Sequence, residues 1–196
     1  CQNKQVPDTW NVGDSCMMAF GKKNYQIDII GKNHDDYADG SGKAPLTFQM
    51  HTCYATEYKM NNSGSNTGGW ADCLLRTTGG FKIIKSKMPA EVVAALKAVT
   101  KKTTAGGASS AIDTTEDTLF LLSEIEVQGT RTHSYAGEGT QYAYYQTAAN
   151  RKKNRAWYLR SPRISSTTCF CRTGWSGEAD WSVASEVDGI AAAWCF

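Results

Sequence analysis

The sequence predicts an α+β fold of short antiparallel strands, two or three helices and long loops. Three observations point there. Apolar runs are short and end at turn residues, as at Gly21-Lys22-Lys23-Asn24. Two segments carry helix-start signals, Met88-Pro89-Ala90-Glu91 and Ser123-Glu124-Ile125-Glu126. Polar stretches such as 34–43 and 61–69 are long, and loops of that kind in a compact domain are functional or well packed. The 196 residues suit one domain over 12–196, reached through a linker-like segment 1–11.

In chain order, Val12-Gly13-Asp14 turns into a strand at Ser15–Phe20. After the Gly21–Asn24 turn, Tyr25-Gln26-Ile27-Asp28-Ile29-Ile30 alternates as a half-buried strand does. Residues 34–43 form a polar loop and Leu46–Met50 a further strand. The stretch 61–69 is a Ser/Asn/Gly loop, and 70–85 mixes apolar and polar residues as a partly helical segment does. The helix opening at Met88 should place Val92, Leu96 and Val99 on one face, pass Lys101 and Lys102, and stop at Gly106-Gly107. Thr118–Leu122 reads as a compact apolar strand, followed at once by the helix that Ser123 and Glu126 cap. Residues 135–154 are polar and tyrosine-rich. They lead into the basic run Arg151-Lys152-Lys153-Asn154-Arg155, which reads as a solvated loop. From Ala156 onward, short strands alternate with turns, with Gly177 and Gly189 at turn positions.

A hydrophobic fraction of 41% and a charged fraction of 20% place the chain among ordinary globular proteins. A net charge of +2 argues against nucleic acid as a partner. No apolar run approaches the roughly 18 residues that span a bilayer, so membrane insertion is not expected. Cys1 at the first position fits a processed product, an excised domain, or a lipoprotein acylated there.

Seven cysteines cannot all pair within the chain, and no local set of Cys and His has zinc spacing. Cys169 and Cys171 would share one face of a strand, either as a redox or metal pair or as small buried apolar groups. Asp35, Asp36, Asp39 and Gly40 hint at calcium, but Tyr37 and Leu46 stand where an EF-hand loop needs ligands. His34, His51 and His133 are far apart, and no nucleophile-elbow, P-loop or dinucleotide motif is present. Asn61-Asn62-Ser63 matches a glycosylation sequon. No cofactor or metal is therefore expected. Trp175 and Trp181 stand among polar residues, either as core or as exposed anchors of a binding surface. The charges around them, Arg163, Arg172, Glu178, Asp180, Glu186 and Asp188, favour an exposed mixed patch, because burial without partners is costly.

Several stretches together resemble a known family. They are Trp10-Asn11-Val12-Gly13-Asp14, Ile30-Gly31-Lys32-Asn33-His34-Asp35, Lys59-Met60-Asn61, Gly68-Gly69-Trp70, Leu119-Phe120-Leu121-Leu122-Ser123-Glu124 and Gly129-Thr130-Arg131. Nearest in kind are Trp157-Tyr158-Leu159-Arg160-Ser161-Pro162, Phe170-Cys171, Gly177, Ala179 and the closing 189–196. In this order they resemble the C-type-lectin-like domains, of formylglycine-generating-enzyme type, of phage tail and gut-bacterial surface proteins. Some of those are the variable proteins of diversity-generating retroelements. Two departures are Trp157-Tyr158, where the family usually has Trp-Trp, and Ala193-Trp194, near which the family commonly has Phe. Trp175, Glu178 and Trp181 also depart from what adenine-directed mutagenesis of an Asn-type codon yields.

The resemblance implies a C-type-lectin-like fold. It also implies a hypervariable segment, 163–188, that displays a ligand-binding face between two fixed apolar ends. Position by position, it implies Arg163, Ser165, Ser166, Thr167, Thr168, Arg172, Trp175, Glu178, Asp180, Trp181, Val183, Ser185, Glu186 and Asp188 as ligand-binding residues. Cys169 falls at such a position as well. The lectin-type calcium motifs are absent, so calcium-dependent sugar binding is not implied. The expected function is non-catalytic binding of a protein or glycan receptor on a target cell, from a virion tail or a bacterial surface, with the chain an oligomer within a fibre. A structural tail module and a formylglycine-generating-type oxidase using Cys169 and Cys171 are the alternatives.

Overall fold

A turn at Gly21-Lys22 joins β1 (Ser15–Phe20) to β2 (Lys23–Lys32) in the computed structural model, which describes residues 6–196. Cys1 and the start of the linker-like segment lie outside the described residues. Gly21 has φ +61°, the left-handed conformation that a two-residue hairpin turn requires and glycine adopts freely. β3 (Leu46–Met50) pairs antiparallel with β2, and β9 (Ala193–Cys195) pairs with β3, giving the order β1-β2-β3-β9. The last strand of the chain is therefore built into the first sheet. Trp194 lies opposite Phe48 and packs with Phe20, which in turn meets Tyr25 and Tyr54 at ring separations of 5.4 and 6.4 Å. Aromatic clusters of this kind contribute both buried area and favourable ring geometry.

Among the described residues the helical segments are short: α1 (Gly69–Asp72), α2 (Leu74–Thr77), α3 (Gly80–Lys87), α4 (Ala90–Ala95) and α5 (Glu124–Gln128). α5 begins as expected, with Ser123 and Glu126 forming both bonds of a capping box. α4 begins after Pro89 but ends earlier than its apolar spacing suggests. Leu96 caps it and Val99 belongs to the next strand, so Val92, Leu96 and Val99 do not share a helical face.

That next strand is β4 (Val99–Gly106), paired in a hairpin with β5 (Ser109–Asp117). The sequence reading ran a helix toward Gly106-Gly107 and missed the hairpin. The inward positions of β4 explain why: Val99, Lys101 and Thr103 are buried, so the strand's inner row is largely polar and shows no apolar alternation. Gly106 is confined on both sides, since its φ is +70° and a Cβ there would stand 1.9 Å from the Asn66 carbonyl oxygen.

Thr118–Leu122 is not a strand, although Leu119 to Leu122 are buried; Phe120 alone bridges to Ala193. Nor is the basic run wholly solvated. Lys153 is buried, and its ammonium donates to the carbonyls of Met50 and His51 at 2.8 and 3.0 Å. Burial pulls its pKa down to about 8. The third sheet, β6-β7-β8, consists of β6 (Trp157–Pro162), β7 (Cys169–Thr173) and β8 (Ala179–Val183). β6 is buried along its whole length, and β8 forms the open edge.

Candidate binding face

The predicted segment runs from Pro162 to Gly189, with firm anchors at both ends and Phe170, Cys171 and Ala184 reaching back into the core between them. On one side Trp157, Tyr158, Leu159 and Arg160 are fully buried. On the other, Ile190 to Cys195 are buried without a break. Between them the chain makes a turn (163–168), the β7–β8 hairpin and a second turn (184–188).

The first turn is clamped from below by Asn66, a buried residue of the 61–69 loop. Its amide nitrogen donates to the carbonyls of Ser166 and Cys169 at 3.0 and 2.7 Å, and its carbonyl oxygen accepts from the Gly107 N–H at 2.8 Å. The Ala108 N–H donates to the Ser166 carbonyl at 3.1 Å, and the Ile164 N–H to the His133 carbonyl. Ser165, at the turn's apex, has φ +54°. Three distant segments thus hold one short turn, which is how a loop can be well defined without a helix or ladder of its own.

Most of the fourteen expected residues are accessible. Ser165, Thr167, Thr168, Trp175, Glu178, Trp181 and Glu186 are exposed, and Arg163, Arg172, Asp180, Val183 and Ser185 are half-buried. Trp175 keeps 66% of its surface and Trp181 39%, so neither is a core tryptophan. Two expected residues are corrected. Ser166 is buried, and its hydroxyl accepts from the N–H groups of Thr168 and Cys169, both at 3.2 Å; it shapes the turn and displays nothing. Asp188 is buried beside Arg172, whose guanidinium also binds Asp180 at 2.7 Å. Burial raises the Asp188 carboxyl pKa above its ordinary value despite the neighbouring guanidinium. The sequence reading missed Ile164, 36% exposed, and Val187, 50% exposed. It also missed the 61–69 loop, the Gly106–Ala108 tip and the 132–134 turn as the platform of the face.

The two sides of the β7–β8 hairpin differ. Arg172 lies opposite Asp180, and Cys171 opposite Trp181, so the two pairs project to opposite faces. The Arg172 side is a closed ion-pair cluster. On the Trp181 side the Arg163 guanidinium lies over the indole at 4.4 Å from the ring centre.

A second polar cluster lies in the core. The Arg160 guanidinium donates to Glu126, to the carbonyls of Leu121 and Glu138 at 2.9 and 3.0 Å, and to the Thr103 hydroxyl at 2.9 Å. Lys101 bridges Asp35 and Glu126, and the Tyr142 hydroxyl donates to Asp35 at 2.8 Å. Burial opposes ionisation of Asp35, yet the Lys101 ammonium beside it holds the pKa down at about 2. Glu126 lies low as well, with Arg160 and Lys101 outweighing its burial. Glu138 lies high, because burial outweighs its bonds from Ser161 and Thr104.

Among the described residues, His34, Asp35 and Glu126 bring one ligand atom each within 4.8 Å of one another. The Lys101 ammonium already contacts both carboxylates, so a metal ion there would have to displace it. The acidic loop at 35–40 does not converge either. Asp35 points into the core, Asp36 pairs with Lys43 at 2.9 Å, and Asp39 accepts from the Ser41 N–H in an Asx turn. The sequon residue Asn61 already donates its side-chain amide to the Ser65 carbonyl at 2.8 Å.

The six described cysteines carry free thiols, and Cys169 and Cys171 are both buried. Burial pushes the Cys171 thiol well above its ordinary pKa.

These observations define a mixed α+β domain with three small antiparallel sheets and an exposed aromatic face over a clamped turn. The chain belongs to the family described as a domain of unknown function, DUF6273, which matches residues 44–195. No curated protein matches the chain. No solved structure matches it either.

Proposed function

We propose that this chain is a non-catalytic ligand-binding domain of receptor-binding or adhesin type, with segment 163–188 as its binding face. One observation carries the reading: Trp175 and Trp181 are displayed in solvent between two fully buried anchors. Surface left exposed on a tryptophan adds nothing to the core, whereas tryptophan and arginine dominate binding hot spots. The finer parts of the proposal are a C-type-lectin-like fold of formylglycine-generating-enzyme type and diversification of the segment by a retroelement. The ligand is a protein or glycan on a target cell, met from a virion tail or bacterial surface. Catalysis through Cys169 and Cys171 finds little support, since neither thiol is accessible and a nucleophile works as thiolate.

Sequencing the gene across its source population tests the proposal. Substitutions are expected at exposed positions within 163–188, sparing Ser166 and Asp188. An even spread along the chain overturns diversification. Trp175→Ala and Trp181→Ala should each weaken attachment to the target cell with melting nearly unchanged; unchanged attachment rejects the face.

A second reading, an assembly module, draws on β1. This edge strand carries no charge and leaves Met17 64% exposed, the kind of edge that natural proteins usually protect. Sedimentation of Met17→Lys beside the parent chain decides it: a parent oligomer dissolved by the lysine favours assembly, and a monomeric parent removes it.

A further inference from the structure

Arg163 is the feature of the proposed face that the fold leaves unexplained. Its backbone is fixed, with the N–H donating to the Cys169 carbonyl at 2.9 Å. Its guanidinium carbon stands over the Trp181 ring, 4.4 Å from the ring centre. Yet among the described residues no carboxylate ion-pairs it, and its Nε is buried without a hydrogen-bond partner. The nearby acids are engaged elsewhere. Asp180 and Asp188 belong to Arg172 on the opposite side of the hairpin. Glu124 is saturated by the N–H groups of Thr132, His133 and Ser134 and by the Ser134 hydroxyl.

We infer that the partner of this face is a protein that presents an Asp or Glu carboxylate to the fork of Arg163. The inference rests on the binding-face reading above and names the ligand chemistry of that site. The indole beneath the guanidinium and the fixed backbone restrict its freedom, and with Nε shielded the two terminal nitrogens remain as the fork that takes a carboxylate. A protein fits better than an acidic sugar for two reasons. Arg163 already covers a face of Trp181, where a pyranose ring would otherwise stack. Its neighbour Ile164 adds exposed aliphatic surface. Aromatic and arginine side chains beside aliphatic surface characterise the centres of protein interfaces.

The test uses the chain with a fluorescein-labelled hexaglutamate peptide, read by anisotropy at physiological salt. Trigalacturonate serves as the acidic-sugar competitor. Arg163→Gln should weaken peptide binding by about tenfold or more, and Arg163→Lys should restore part of it, since one ammonium cannot replace the fork. Lys82→Gln, which removes the same charge from an exposed site on α3, should stay within about twofold. Equal losses in Arg163→Gln and Lys82→Gln, or no binding at all, overturn the inference. Stronger binding of trigalacturonate than of hexaglutamate overturns the protein assignment. Cell attachment separates this inference from the reading beneath it. If Trp175→Ala loses attachment while Arg163→Gln keeps it, only the carboxylate partner falls; if both keep it, the face falls.

Discussion

Arg160 and Arg163 stand three residues apart on the same stretch of chain and live in opposite surroundings. Arg160 is fully buried, and its donors are met by Glu126, Glu138, Leu121 and Thr103. Arg163 is half-buried on Trp181, and among the described residues no acid pairs with it. The buried cluster is complete, so its charges hold the three sheets in one arrangement and have nothing left to offer a ligand. The half-exposed pair is incomplete among the described residues, and a guanidinium without an acid on a fixed backbone suits recognition. The difference teaches that charge itself marks neither a core nor a site; what matters is whether the fold has already answered it.

The largest expected effect lies in the buried cluster. Arg160→Met leaves Glu126 charged and buried beside Lys101 alone, and should destabilise the chain by about 3–5 kcal/mol in urea unfolding. Arg163→Met should change stability by under about 1 kcal/mol. Equal losses would erase the contrast between the two arginines.

Next comes Asn66→Ala, which removes the clamp beneath the 163–168 turn. A loss of about 2 kcal/mol is expected, together with weaker ligand binding. Lost stability with unchanged binding would mean that the turn takes no part in recognition.

The acid limb of stability should report the Lys101–Asp35 pair. The folded pKa of Asp35, about 2, lies below its unfolded value. Its contribution is therefore present above roughly pH 4 and is lost as pH falls toward 2, worth on the order of 2 kcal/mol. Urea midpoints measured over that window should fall less steeply in Asp35→Asn than in the parent chain. The same slope in both would place the acid sensitivity elsewhere.

The smallest effect belongs to the exposed tryptophans. Trp175→Ala should shift stability by within about 0.5 kcal/mol. Trp157→Ala, in the buried anchor, should cost about 3–5 kcal/mol.

Much of the fold was legible where local rules act alone. β1 and β3 begin and end where turn residues and alternation place them, and α5 starts at its capping box. The β4–β5 hairpin was not legible, because its inner row of Val99, Lys101 and Thr103 is packed against a polar core. A strand whose buried side carries charge has no apolar period to read. Thr118–Leu122 misled in the opposite way, since an apolar run records burial but not pairing. At the candidate face, the segment was chosen from resemblance, and the structure places Trp175 and Trp181 partly in solvent, where the sequence left core and surface both open. Ser166 and Asp188 were misjudged, because a serine or an aspartate looks the same whether it faces solvent or caps a buried turn. Ile164 and Val187 lay outside the positions that the resemblance supplied.

By itself the sequence determined many of the turns, which apolar stretches are buried and where α4 and α5 begin, since these depend on neighbours a few residues away. Only the tertiary structure decided that Lys101, Asp35, Glu126 and Arg160 meet in the core. It also decided that Asn66 holds the displayed turn and that Arg163 rests on Trp181 without an acid. Partners so far apart along the chain are brought together by packing, and charges satisfy one another through space and not through spacing.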